Sequence, residues 1–82
     1  MRDEIRNKTE DTYRILRTLQ LNDFKIHLKI MQSGIEIFQN GKIVDLSYEK
    51  LTLILDEREE GIKPILLEDI IPGSVAVMRE IK

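Results

Sequence analysis

The chain has no cysteine and no tryptophan, and its 82 residues include only two tyrosines, two phenylalanines and two prolines. Without cysteine there is no disulfide to staple a small fold and no thiolate zinc site. The single histidine, His27, has no cysteine or second histidine with which to hold a metal ion, so neither a metal nor a cofactor is expected. No apolar run approaches the roughly 18 residues that a membrane-crossing helix needs, and Arg2-Asp3-Glu4 does not open like a secretory leader. A soluble, cytoplasmic protein without membrane contact is the expectation. No sign of charge dominates either: 13 Lys and Arg stand against 15 Asp and Glu, a net charge of −2, which excludes a polybasic protein held to phosphate by bulk attraction. There is no glycine-rich phosphate loop, and Ser33, Ser47 and Ser74 form no evident triad with a histidine and an acid. The sequence reads as non-catalytic.

What remains is a chain of one domain, residues 1–82, with a thin core. At this size folding removes only about 60 to 65% of the unfolded chain's surface from water, and with disulfides and metal excluded, self-association is the remaining way to add stability. Ile5, Thr9, Thr12, Leu16 and Leu19 recur at alternating four- and three-residue spacing, with Tyr13 and Ile15 beside them, which predicts a helix over 1–22. Asn7 or Thr9 would cap a shorter version, and Asn22-Asp23 is a turn pair that ends it.

From residue 24 to 80 the pattern changes to strands. Phe24, Ile26, Leu28 and Ile30 point one way, with Lys25, His27, Lys29 and Met31 pointing the other. Ser33-Gly34 makes a turn, Ile35 and Ile37 resume the alternation, and Asn40-Gly41 signals a hairpin turn or a bulge before a strand from Lys42 to Leu46. "LTLIL" at 51–55 and "IKPILL" flank the polar turn "DEREEG", with Pro64 confined to an edge or a strand start. "EDIIPG" at 68–73 predicts one tight helical turn, and a last strand runs from Val75 to Glu80. One helix and a strongly bent five-stranded antiparallel sheet closing into a small barrel is the simplest architecture for these faces.

Over nearly its whole length this order of elements resembles the Sm-like family of small barrels. "KIHLKIMQSG" resembles the family's first strand and glycine turn, "NGKIVDLS" its second strand with an internal glycine at Gly41, and "LTLILDEREEG" the third strand and variable loop. "KPILLEDI" and "SVAVM" are similar to the fourth and fifth strands joined by a tight corner. The resemblance implies a mainly β fold, a homo-oligomer in which the fourth strand of one subunit pairs with the fifth of the next, and non-catalytic RNA binding. Its uridine pocket uses an Asp and an Asn after the second strand and an Arg-Gly pair after the fourth. Asp45 lies near the first position, but the Asn is missing, and the corner carries Glu68-Asp69, whose charges repel a phosphate backbone.

The candidate RNA contacts are Tyr48, Lys50, Lys63 and Asp45. Tyr48 sits where a ring would stack on a base, with Lys50 two residues on as a phosphate contact; a turn tyrosine covering the barrel mouth beside a solvated lysine accounts for the same residues. Lys25, His27 and Lys29, extended by Lys42, form a basic stripe that would either track phosphates or be a solvated face relieved by Glu36 and Asp45. The "DEREE" run lacks the oxygen spacing of a calcium loop and reads as a solvated turn. Met31, Phe38, Ile54, Leu66 and Met78 fall out of phase with the inward set of their strands, and "VAVM" at 75–78 has no gatekeeper. Leu66, Val75, Val77 and Met78 are accordingly the candidate oligomer edge. The alternative occupant of that edge is a different polypeptide, which would make the chain an assembly or adaptor module.

Overall fold

The computed structural model describes residues 2–78, with side chains from Asn7 onward. Helix α1 spans Arg2–Leu21 and is followed by β1 (Lys25–Gln32), β2 (Ile35–Ser47), β3 (Thr52–Glu57) and β4 (Gly61–Leu66). A 3-10 turn, Leu67–Asp69, leads to β5, Ala76–Val77. The strands form one antiparallel sheet in the order β4-β3-β2-β1-β5.

The helix uses the predicted stripe. Leu16 is fully buried, Thr9 and Thr12 lie under it facing the fold, and Tyr13 and Leu19 pack at its margins; the side chain of Ile5 lies outside the described residues. Neither Asn7 nor Thr9 caps the helix, because its backbone is helical from Arg2 onward and Thr9 occupies the inner face. The end is a Schellman arrangement. Phe24 N–H donates to the Leu19 carbonyl at 3.2 Å and Asp23 N–H to that of Gln20 at 3.1 Å, with Asp23 in the left-handed region at φ 56°. Phe24, expected to point inward with β1, is exposed because it belongs to this cap and precedes the strand.

β1 buries Ile26, Leu28 and Ile30, as its alternation predicts. Ser33 and Gly34 both have positive φ, 52° and 78°, the requirement of a two-residue hairpin turn matched to sheet twist. Asn40-Gly41 is not a turn. β2 runs straight through it, pairing residues 35–42 with β1 and 41–47 with β3, so that Gly41 and Lys42 are paired on both sides. Gly41 is where the sheet needs no side chain at all: a Cβ there would lie 2.0 Å from the Asp56 carbonyl oxygen. The bulge sits at Val44 instead, where the register skips between Ile43 and Asp45. β3 starts at Thr52, one residue later than expected, because Leu51 takes φ 50° to close the preceding turn. Pro64 lies within β4, which is an edge strand. Leu67 N–H donates to the Leu51 carbonyl, so by alternation the backbone groups of Ile62, Pro64 and Leu66 point away from β3, and the missing proline donor costs that ladder nothing.

The sheet curls but does not close. Four residue steps separate Leu66 from Ile70, which bridges to Ile30 on β1, and Ile71 N–H then donates to the Lys29 carbonyl at 2.9 Å. In a flat sheet β4 and β1 would stand three spacings of about 4.8 Å apart, too far for a link that contains a 3-10 turn rising about 2 Å per residue. The expected barrel is nevertheless incomplete. β4 and β5 are the two ends of the sheet and do not pair, and a cavity of about 140 Å³ separates Ile30 and Gln32 from Lys63, Pro64 and Leu66. β5 comprises two residues paired with Ile26 and His27; the expected continuation to Glu80 lies outside the described residues. The core is Leu16, Ile26, Leu28, Ile30, Leu53, Leu55, Ile65, Leu67 and Ile70. Gln39 intrudes on it, fully buried between Leu28 and Gly41 positions, with its Oε1 unpartnered.

Replacing Gly41 with alanine should destabilise the fold by about 3 kcal/mol, the upper end of ordinary overpacking costs, because the obstructing atom is backbone and cannot swing aside. Urea denaturation of the two proteins checks this.

Candidate nucleic-acid and assembly surfaces

Tyr48 and Lys50 lie on the turn between β2 and β3. Ser47 Oγ accepts from Lys50 N–H at 3.1 Å and Thr52 Oγ1 donates to the Lys50 carbonyl at 2.9 Å, a side-chain-held turn of the kind that serine and threonine build. The Tyr48 ring meets Tyr13 of α1 edge to face, with centroids 4.9 Å apart. The ring thus joins the helix to the turn while remaining partly exposed.

Lys63 and Asp45 are not brought to that turn. Lys63 sits on β4 opposite Leu55, three register positions from the Thr52 end of the ladder, or about 10 Å along the strand. Its Nζ is 2.5 Å from Glu60 Oε2, so its charge is already answered. Asp45 lies just beyond the bulge, opposite Ile54, and is exposed. Glu68 and Asp69 occupy the 3-10 turn. The four expected RNA contacts are therefore spread over two regions of the sheet.

The acidic turn is more than the expected solvated loop. Glu57 is only 5% exposed, and its carboxylate is an internal anchor. Oε2 accepts from Asn40 N–H at 2.8 Å, and Oε1 accepts from Glu59 N–H at 2.7 Å and Glu60 N–H at 3.0 Å. Arg58 N–H completes the clamp by donating to the Asn40 carbonyl at 2.8 Å. Burial alone would raise the Glu57 pKa, but the three N–H donors and the Arg58 charge outweigh it and hold the carboxyl below its ordinary value. The remaining acids of the turn, Glu59 and Glu60, are exposed. Among the described residues no group of His, Asp and Glu could hold a metal ion.

The apolar residues expected at an edge divide. Leu66 and Ile62 are exposed on the outer side of β4, 46% and 68% respectively, and with Val44, Ile54 and Pro64 they make the convex surface of that margin apolar. Val75 packs against the core. Val77 lies opposite buried Ile26 yet is 38% exposed, because no further strand among the described residues covers β5. Met78 is half-buried, and its N–H donates to the Lys25 carbonyl at 2.8 Å.

Sequence reasoning separated two features that the register unites. Phe38 stands directly opposite Lys29 in the β1–β2 ladder, and Lys29 Nζ lies 5.1 Å from its ring centroid. The alternation placed Lys25, His27 and Lys29 on the outer face, but only the length of the Ser33-Gly34 turn decides which β2 residue joins them. Comparison of the chain with protein-family models, curated proteins and solved structures found no match.

Because the folded state lowers the Glu57 pKa, its stabilisation is present above the ordinary carboxylate value of 4.5 and is lost as pH falls through the lower, folded value. Glu57→Gln should reduce stability at pH 7 by about 1 to 2 kcal/mol, the charge-assisted part of these bonds. It should also flatten the acid limb of the stability profile below about pH 4.5, which denaturation series at several pH values would reveal.

Proposed function

We propose that the chain is a non-catalytic, Sm-like subunit of a homo-oligomer that binds RNA, assembled by laying β4 of one copy against β5 of the next. The observation that carries this reading is the pair of unmatched margins. β4 and β5 end the sheet, and each bears exposed apolar side chains. A helix, four strands, a 3-10 turn and a fifth strand returning to the first support the Sm-like reading, and the seam between β1 and β4 is consistent with a barrel completed by a neighbouring subunit.

One further feature favours a head-to-tail contact over a symmetric one. Pairing β4 with another β4 would put two prolines, each without a donor, into one six-residue ladder, whereas a β4–β5 contact includes one. A heterologous contact of this kind forms a ring when its rotation closes. The adaptor reading is favoured by a specific observation of its own: Lys63 is paired and the 3-10 turn is acidic, so an extended segment of another protein could occupy the β4 edge without any RNA.

Light scattering of the purified protein should give a mass of several copies. Leu66→Lys and Val77→Lys should each weaken assembly by at least about tenfold, the scale of a central interface residue. A mixture of the two variants should recover a two-copy species, since one retains an intact β5 margin and the other an intact β4 margin. A wild-type monomer at tens of micromolar, or variants of unchanged mass, would defeat the assembly reading.

A further inference from the structure

We infer that RNA is held on the outer face of β1 and β2, with a base stacked on the Phe38 ring and the backbone following Lys25 and Lys29; this rests on the RNA-binding reading above and names its site. The ladder fixes the membership of that face. Lys25 stands opposite Lys42, His27 opposite Asn40, Lys29 opposite Phe38 and Met31 opposite Glu36. Side chains on one face of a strand recur every 6.7 Å or so, so the β1 row is a line of cationic and imidazole groups at a repeat comparable with an extended single strand's phosphates. Phe38 projects from the neighbouring strand into the middle of that line.

Three observations make this row more than a solvated face. The first is the exposure of Phe38, 61%, directly opposite Lys29 and with Met31 as its apolar neighbour on the same face. Phe38 is neither in the core nor among the described side chains packed against it. The second is the Lys29 ammonium, 5.1 Å from the ring centroid. A cation over an exposed ring is weakly held, so it can move to a phosphate and yield the ring face to a base. Aromatic stacking beside a basic track is the general chemistry of single-strand recognition.

The third is the placement of opposing charge. Glu36 lies at the hairpin end of the face, opposite Met31, and Asp23 meets Lys42 at the other end at 3.0 Å. Both acids flank the Lys29–Phe38 pair without entering it. On the far side of β1, Ala76 of β5 stands opposite His27 and is too small to wall off the row. The chain's net charge of −2 is therefore no obstacle: Asp56, the other exposed acid of this face, stands opposite Lys42, and the stretch from Lys25 to Lys29 on β1 carries no acid. A polyanion with planar bases complements it in both respects.

The chain has no tryptophan, so Phe38→Trp introduces a single indole reporter at the site. Short oligouridylate and oligoadenylate, titrated into the assembled protein at low salt, should quench its emission. Phe38→Ala should weaken binding about tenfold, within the range for loss of one stacked base. Lys29→Ala should lower the slope of log affinity against log salt by about 0.7, the value for one phosphate contact on a single strand. Melting curves and light scattering show whether the variants keep fold and mass. RNA binding with an unquenched indole and unchanged affinity in Phe38→Ala would overturn the site and leave the RNA reading standing. No binding by the wild type at low salt would overturn both, and loss of oligomer mass in Phe38→Ala would assign the face to contact between copies.

Discussion

The shape of this sheet depends on one missing side chain. At Gly41 the backbone of β2 is paired on both sides, and the Asp56 carbonyl occupies the space that a Cβ would fill. That approach lets a 13-residue strand serve β1 with its first part and β3 with its last. The bulge at Val44 adds twist immediately afterwards. The clamp of Glu57 and Arg58 on both backbone groups of Asn40 fixes β3 at this same point. With the sheet curled there, the short link through Leu67–Asp69 can return the chain to β1, and Leu67 and Ile70 can enter the core.

Curl without closure explains why so much apolar surface remains outside a chain with so few apolar residues to spare. The inner face is filled by rows from β1 and β3, Ile65 of β4, Leu16 from the helix, and Leu67 and Ile70 from the link back to β1. A strand alternates faces, so burying one row commits the next to the outside; Ile54, Ile62 and Leu66 are the outward counterparts of Leu53, Leu55 and Ile65. On a solitary domain such a row would ordinarily be polar. Its apolar character at the β4 margin, next to unpaired backbone, is the physical basis of the proposed assembly.

The elements that were legible in the sequence are those set by periodicity. The helix stripe from Thr9 to Leu19, the inward set Ile26, Leu28 and Ile30, and the edge position of Pro64 all follow from local spacing and backbone chemistry. Asn40-Gly41 misleads for a definite reason: the pair that favours a hairpin turn also suits close packing of two strands, and only the tertiary partner Asp56 decides between them. Glu57 was hidden for the same reason, since its role depends on Asn40, 17 residues away, and composition assigns a run of acids to solvent. The join of Phe38 to Lys29 required the register, which a two-residue turn sets and alternation alone does not.

The distribution of lysines bears on any anionic ligand more than their number does. Lys63 is near the acidic turn and is tied to Glu60, while Lys42 is tied to Asp23; a phosphate would have to displace a carboxylate at either one, and the Coulomb gain would be the small difference between two similar pairs. Lys29 lies over a ring instead. In the proposed complex, moving it to a phosphate would expose a stacking surface and release a counterion from the RNA. Of Lys29, Lys42 and Lys63, Lys29 is the one whose exchange of partner would favour the proposed ligand on each count, which is why the outer face of β1 and β2 is the proposed site.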